Sequence, residues 1–321
     1  MNTCRICCKD TDSPTISLRE MMFATGEEFL YFQCPHCECL QIQNIPNDLD
    51  RHYPSSYYSL APLETSKPEG VGAWVKKQRM QFCVGEQNPV GALARLIWGC
   101  PEMSVWFSIP GVRLGTKILD VGCGNGRLLL QLSSYGFRCL NGIDPYLRQD
   151  IAYPNGVTVR RQELNQVVEQ YDMVMLHHSF EHFADPVAAL REIHRILFPG
   201  GIVLLRIPVV DSEAWVSYRE YWVQLDAPRH LHIPARKTIG ILAEKCGFVL
   251  ESLFEDSHAM QFWASEQYRR GTGLRDSRSY MTNPTASIFS DRDIKQFQKK
   301  AKKLNQIHRG DQTCFFLRRK G

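Results

Sequence analysis

The sequence predicts an α/β protein with a doubly wound, mostly parallel sheet preceded by a small metal-held module. Three observations carry this. From residue 116 onward short apolar runs alternate with amphipathic segments, the pattern of strands covered by helices on both faces. A glycine-rich turn follows the first of those runs. Six of the twelve cysteines fall at the N-terminal end: Cys4, Cys7, Cys8, Cys34, Cys37 and Cys39.

In chain order, residues 1–45 hold two Cys-x-x-Cys knuckles around a hairpin-like segment. Residues 46–110 form a linker or lid, rich in Pro, Ser and Tyr as far as residue 72, followed by a helical stretch over 73–108. There Trp74, Phe82, Leu93, Leu96, Ile97 and Trp98 are the expected packing residues, and Pro89 and Pro101 bound the second helical piece. Residues 111–321 are the main domain. Its expected strands are 117–121, 138–144, 157–161, 171–176, 202–208, 248–254 and 312–320. Its expected helices are 127–136, stopped by Gly136, then 184–201, 237–247 and 291–308. The basic face of the last helix reads as a solvated face.

Composition bounds the function. The chain has 321 residues, 44% of them hydrophobic and 22% charged, with a formal net charge of +4. That is an ordinary globular balance and lacks the strong basic stripe of a dedicated nucleic-acid binder. No apolar run approaches a membrane span, and no apolar leader opens the sequence, so the expected location is cytoplasmic. In that compartment clustered cysteines read as metal ligands. The pairs Cys4/Cys7 and Cys34/Cys37 have zinc-ribbon-like spacing, and four thiolates suit a closed, structural zinc site that replaces the core so short a module cannot build. Cys8, His36 and Cys39 are alternative ligands. The remaining cysteines are scattered singly and read as small buried hydrophobes.

The segment 118–126, ILDVGCGNG, takes a strand through a turn with glycine at 122, 124 and 126 and into a helix. Glycine there permits tight geometry and removes side chains from the path of a ligand. Asp144 ends the next strand, where a carboxylate can accept from both ribose hydroxyls. These two elements suit a dinucleotide as well as an adenosyl cofactor.

In order and spacing, ILDVGCGNG, GID, YDMVMLHHSFEHFADPVAALREIHRILFPGG and IVLLRIP resemble the motifs of class I S-adenosylmethionine (SAM)-dependent methyltransferases over about residues 115–255. The resemblance implies a Rossmann-like sheet of seven strands with residues 257–310 inserted before the last, and SAM as cofactor. It places Asp120, Gly122 and Gly124 by the methionine part, Cys123 among the cofactor-binding residues, Asp144 on the ribose, Glu163 and Leu164 by the adenine, and His177 and His178 beside the methyl donor. Glu181-His182 matches the family's Glu-His pair. A zinc module ahead of such a core is similar to bacterial sugar and natural-product methyltransferases, in which the added domain helps shape the acceptor site.

The segment 226–232, DAPRHLH, follows an aromatic run after the fifth strand and is too polar for plain core. It resembles an acceptor-side stretch of the same enzymes. Asp226, Arg229, His232 and Tyr58 are the expected substrate contacts. His230, then His178, are the expected catalytic bases, because histidine titrates near neutral pH. The expected reaction is methyl transfer to a hydroxyl of a small molecule. The competing readings are a nicotinamide oxidoreductase, which would favour Gly-x-Gly-x-x-Gly over the Gly-x-Gly-x-Gly present, and a zinc-ribbon-recruited RNA or protein methyltransferase. Against the latter, residues 1–45 carry Arg5, Lys9 and Arg19 against Asp10, Asp12, Glu20, Glu27, Glu28 and Glu38.

Overall fold

The computed structural model describes residues 1–53, 60, 63 and 70–321. Its strands and helices, in chain order, begin with β1 (Asn2–Thr3), β2 (Asp10–Thr11), β3 (Thr15–Arg19), β4 (Glu28–Gln33) and β5 (Leu40–Ile42). Then come α1 (Val71–Cys83), α2 (Pro89–Trp98), β6 (Lys117–Val121), α3 (Arg127–Tyr135), β7 (Cys139–Ile143), β8 (Ile151–Ala152), β9 (Thr158–Arg160) and β10 (Tyr171–His177). The remainder is α4 (Pro186–Ile196), β11 (Leu197–Pro208), α5 (Glu213–Tyr218), β12 (His232–Ile233), α6 (Arg236–Lys245), β13 (Phe248–Glu255), α7 (Met260–Arg269), α8 (Asp291–Gln306) and β14 (Gln312–Arg319).

The large sheet has the order β13-β14-β11-β10-β6-β7-β9-β8. Seven of its strands are those expected from the sequence. The eighth, β8, is a two-residue strand antiparallel to β9. The chain divides into two compact units, one comprising Met1–Pro54, His178–Arg191 and Leu205–Arg318, the other the remaining segments.

In the second unit β6 runs parallel to both β10 and β7, with Ile118 opposite Met173 and Leu140. The buried stretches of these strands are mostly apolar because both faces of the sheet are covered there. Met173, Val174, Met175 and Leu176 are all fully buried, as are Leu129 and Leu132 of α3. Gly136 closes α3 in the left-handed region (φ 105°), as its sequence position predicts. Pro89 opens α2 and Asn88 caps it through Gly91 N–H.

Three expectations are corrected here. Trp74, Leu93, Leu96, Ile97 and Trp98 are not packing residues but 50–84% exposed. Helical spacing identifies a face; it does not say that anything covers it. The helix expected over 184–201 ends at Ile196, because Pro199 and left-handed Gly200 (φ 74°) cannot continue it, and the chain extends directly into β11. The scattered cysteines are not uniformly buried and single: Cys83 and Cys100 form a disulfide across the α1–α2 pair, and Cys139 is exposed.

The first unit contains a four-stranded sheet, β12-β5-β4-β3. Strands β4 and β5, which flank the Cys34–Cys39 turn, are therefore extended by β12, with His232 opposite Gln41 and Ile233 opposite Leu40. Trp215, Trp222, Phe262, Tyr31 and Leu18 pack into one apolar cluster beside it. Among these groups lies a buried ion network. Arg229 is 0% exposed; its Nε and Nη2 donate to Asp226 at 2.6–3.0 Å, Nη2 donates to Glu20 at 2.7 Å, and Nη1 donates to the His52 carbonyl at 3.3 Å. Burial pushes the Asp226 carboxyl up, but the adjoining guanidinium more than offsets it and holds it below the usual range. Removing the guanidinium leaves two buried carboxylates without their counterion. Arg229→Met is therefore expected to cost about 3–5 kcal/mol of stability. Urea unfolding at neutral pH measures this, and a loss below about 1 kcal/mol would show the network to be dispensable.

Candidate active site

The nucleotide end is built by β6, β7 and the turn between β6 and α3. Gly122, Gly124 and Gly126 all take positive φ (74°, 55° and 80°), which any side chain would oppose. At Gly126 space forbids one as well: a Cβ would lie 2.6 Å from Val159 Cγ2. The turn is tied to Asp144, whose Oδ2 accepts from Gly124 N–H at 2.9 Å and whose Oδ1 accepts from Tyr146 N–H at 2.9 Å. Asp120 lies beneath the same turn, 3% exposed. Burial, then the nearby charge of Asp144, pushes its carboxyl up to about 8. The charge of Asp144, joined by that of Asp120 once a positive group draws off its proton, favours a cation. SAM, with a sulfonium and an ammonium group, fits this field; a pyrophosphate does not.

The other expected cofactor residues are more varied in setting. Cys123 is half-buried, and its thiol is pushed well up by burial. Glu163 is exposed and precedes a short helical turn in which Leu164 is buried. His177, the last residue of β10, packs its ring on Trp106, with centroids 4.7 Å apart. Tyr153 was not singled out by sequence, yet its hydroxyl donates to the Asn125 carbonyl in the glycine turn. A lone tyrosine in a loop carries no signal of that role.

In the first unit the structure gathers three imidazoles, His178, His182 and His230, around one acid. Glu181 is fully buried. His178 Nδ1 lies 3.4 Å from Glu181 Oε1, and His230 Nε2 lies 3.7 Å from it. The rings of His182 and His230 meet edge to face at 4.9 Å. His182 Nδ1 lies 2.8 Å from the Arg229 carbonyl and 3.0 Å from Tyr53 Oη. Burial alone would raise the Glu181 carboxyl; His178, His230 and His182 instead hold it at about 2. Burial pushes His230 and His232 down to about 4, so both are neutral at pH 7.

His178 has a positive φ (51°) and a side chain 30% exposed. Residues 226–230 form a turn containing the cis Ala227–Pro228 bond, so His230, Arg229 and His232 do not share one extended strand. Sequence separation hid Glu20, which pairs with Arg229 from 209 residues away. Tyr58 lies outside the described residues.

The four expected metal ligands meet. Cys4 and Cys37 sulfurs are 3.5 Å apart, those of Cys7 and Cys34 3.6 Å, and all four lie within 4.8 Å of one another. A tetrahedron with arms of about 2.3 Å has edges of about 3.8 Å, so the set fits a tetrahedral ion. Each knuckle closes by the same bonds: Cys8 N–H to the Cys4 carbonyl and Glu38 N–H to the Cys34 carbonyl. Residues 8 and 38 both take left-handed φ.

Residues 85–253, just over half of the chain, match the family model described as Methyltransferase domain. The chain belongs to this family, and its class is that of the SAM-dependent methyltransferases. This decides between the adenosyl and dinucleotide readings of the glycine turn. The ubiquinone biosynthesis O-methyltransferase of Pseudomonas aeruginosa is 30% identical over 141 residues, 40% of this chain and 60% of that protein. The tRNA U34 carboxymethyltransferase of Campylobacter hominis is 30% identical over 109 residues, 31% of this chain and 38% of that one. The chain thus spans less than two thirds of the length of either relative. A cyclopropane synthase structure from Mycobacterium tuberculosis superposes with a TM-score of 0.41 at 19% identity, covering 64% of this chain and 78% of that one.

The acid pair generates a prediction with a definite sign. Asp120 titrates near 8, so it is mostly protonated at pH 7 in the ligand-free protein. A bound cation favours the ionised form, so SAM should release a proton at pH 7 and bind more tightly as pH rises from about 6 to 8. Calorimetry in two buffers of different ionisation enthalpy reads the proton directly. Asp120→Asn should abolish the release, and Asp144→Ala should weaken SAM at least about tenfold. Binding of SAM with no proton release would remove Asp120 from the cofactor site.

Proposed function

We propose that the protein moves the methyl group of SAM onto a hydroxyl of a small biosynthetic metabolite, a sugar or a related compound. The proton acceptor in this reading is His178. One observation supports it above others: a partly exposed imidazole backed by a fully buried carboxylate, Glu181, at 3.4 Å. A carboxylate at one ring nitrogen orients the imidazole and stabilises the imidazolium formed when the other takes a proton.

His230, the first candidate on sequence grounds, suits a positioning role better. Its Nδ1 is committed to the Gln224 carbonyl at 2.7 Å, and a group titrating near 4 is poorly matched to proton abstraction at neutral pH. Arg229 is spent on Asp226 and Glu20, and Asp226 on Arg229, and both are assigned to holding the cluster rather than to touching substrate. When bound, SAM supplies a methyl group on positively charged sulfur, already activated for displacement. The chain's own residues then align the acceptor oxygen and receive its proton.

A second reading has an acceptor in a macromolecule. One relative's name includes tRNA, and α8 exposes Lys295, Lys299, Lys300, Lys302 and Lys303. Against it stands the acidic excess of residues 1–45. Methyl-labelled SAM incubated with a low-mass metabolite pool and, separately, with bulk tRNA distinguishes the two: label in the tRNA fraction alone would overturn the small-molecule reading. With the acceptor in hand, His178→Ala should reduce turnover by roughly 10²–10⁴-fold while SAM affinity stays within a few fold. Unchanged turnover would leave alignment as the source of rate.

For the cysteine set we assign zinc in a structural role, since four thiolates leave no open position. Protein purified without chelator should carry zinc in this set, one per chain by elemental analysis. Cys34→Ser should lose it and lower the melting temperature far more than it weakens SAM binding. Wild-type protein free of any metal would exclude the assignment. Among the described residues no helix is long and apolar enough to cross a membrane.

A further inference from the structure

A proton acceptor at His178 does not account for the other atoms gathered at Glu181. This side chain is 0% exposed, and its carboxylate has no well-formed hydrogen bond, His178 Nδ1 lying 3.4 Å from Oε1. An ionised carboxylate left so is expensive unless a positive group satisfies it. The guanidinium of Arg229 does not serve, being taken by Asp226 and Glu20.

Two of the other imidazoles are fixed from behind. His230 Nδ1 is 2.7 Å from the Gln224 carbonyl oxygen, and His182 Nδ1 is 2.8 Å from the Arg229 carbonyl oxygen. A carbonyl oxygen only accepts, so each Nδ1 carries a hydrogen and donates it. In the neutral ring each Nε2 then holds a lone pair. That of His230 stands 3.7 Å from Glu181 Oε1, so two acceptors face each other with no donor between them. Glu181, His182 and His230 each bring one ligand atom within 4.8 Å of the others. His230, which donates Nδ1–H to a backbone carbonyl and presents Nε2 to Glu181, is arranged as a metal-binding imidazole is, with tautomer and ring orientation fixed by the second hydrogen bond.

We propose that Glu181, His182 and His230 form a second metal site, separate from the four cysteines, that takes a divalent first-row cation. Two nitrogens and one oxygen make a borderline donor set that accepts manganese, iron or zinc, whereas four thiolates select zinc. Three protein ligands leave coordination positions open, so this site, unlike the cysteine set, can also hold water or an oxygen of a small ligand. Metal binding here is independent of which acceptor is methylated. If the acceptor is a hydroxyl, a cation beside His178 would lower its pKa and so assist the same proton removal.

The softness difference supplies the probe. Full-length protein carrying zinc in its cysteine set is titrated with Mn²⁺ by calorimetry, with bound zinc and S-adenosylhomocysteine affinity measured on the same samples. The expected result is one equivalent of Mn²⁺, at least tenfold weaker in Glu181→Gln and in His230→Gln, with zinc and S-adenosylhomocysteine binding retained. Zn²⁺ should displace the Mn²⁺. Two outcomes overturn the site: wild-type protein that takes up neither Mn²⁺ nor Zn²⁺ beyond the cysteine-bound equivalent, or variants that bind Mn²⁺ as the wild type does. The wild-type titration decides the matter even where a variant does not fold. Retained S-adenosylhomocysteine binding separates a failed metal site from a failed methyltransferase reading.

Discussion

Much of the first unit depends on a single buried cation. Arg229 brings together Asp226, three residues before it, and Glu20, 209 residues before it, with all three side chains nearly or wholly removed from water. Such a network adds little net stability over an apolar core, since desolvation consumes most of the Coulombic gain. What it adds is register. A guanidinium presents five donors in a rigid fork, and only one placement of the 226–230 turn satisfies Asp226, Glu20 and the His52 carbonyl together. With the side chain fixed, so is the Arg229 carbonyl, which receives His182 Nδ1–H. The imidazole cluster thus takes its orientation from a charge network that does not itself face solvent.

The cysteine segment acts as scaffold for that turn. Tyr31 Oη donates to the His230 carbonyl at 2.9 Å, Gln41 pairs with His232 across adjoining strands, and Thr238 Oγ1 donates to the Cys37 carbonyl. Glu20 itself sits at the end of β3. A module this short cannot hold such anchors rigid by apolar burial alone, which gives the four cysteines a purpose in the same network. A metal held there would stiffen the strands from which the 226–232 segment hangs.

The legible part of the protein was the part governed by local rules. Strand spacing, the glycine turn, Pro and Gly as helix boundaries and the paired Cys-x-x-Cys knuckles each depend on residues within one or two elements of each other, and the structure places them as the sequence implies. What sequence did not reveal depended on distant partners. The 226–232 segment resembles an acceptor-side stretch, but nothing in it reveals that Glu20, 209 residues away, pairs with Arg229. Leu93, Leu96, Ile97 and Trp98 looked like core because their spacing is helical and apolar, yet they remain exposed. Glu181 was legible as half of a Glu-His motif, but its lack of any well-formed hydrogen bond is a property of packing.

His178 shows how these constraints converge. A non-glycine residue at φ 51° carries strain that persists only where its surroundings over-determine it. Here its N–H is fixed to the Arg206 carbonyl at 2.9 Å, and its ring is drawn toward Glu181 three residues on. Arg206 is in turn paired with Asp256 at 2.6 Å. His178 follows directly on His177, the last residue of β10, so the left-handed kink is where the chain leaves the parallel strand and turns its next side chain toward the buried acid. An ordinary extended continuation would alternate sides and carry the ring elsewhere. The strain is therefore the local cost of placing an imidazole nitrogen next to Glu181, which an extended continuation of the strand would not do.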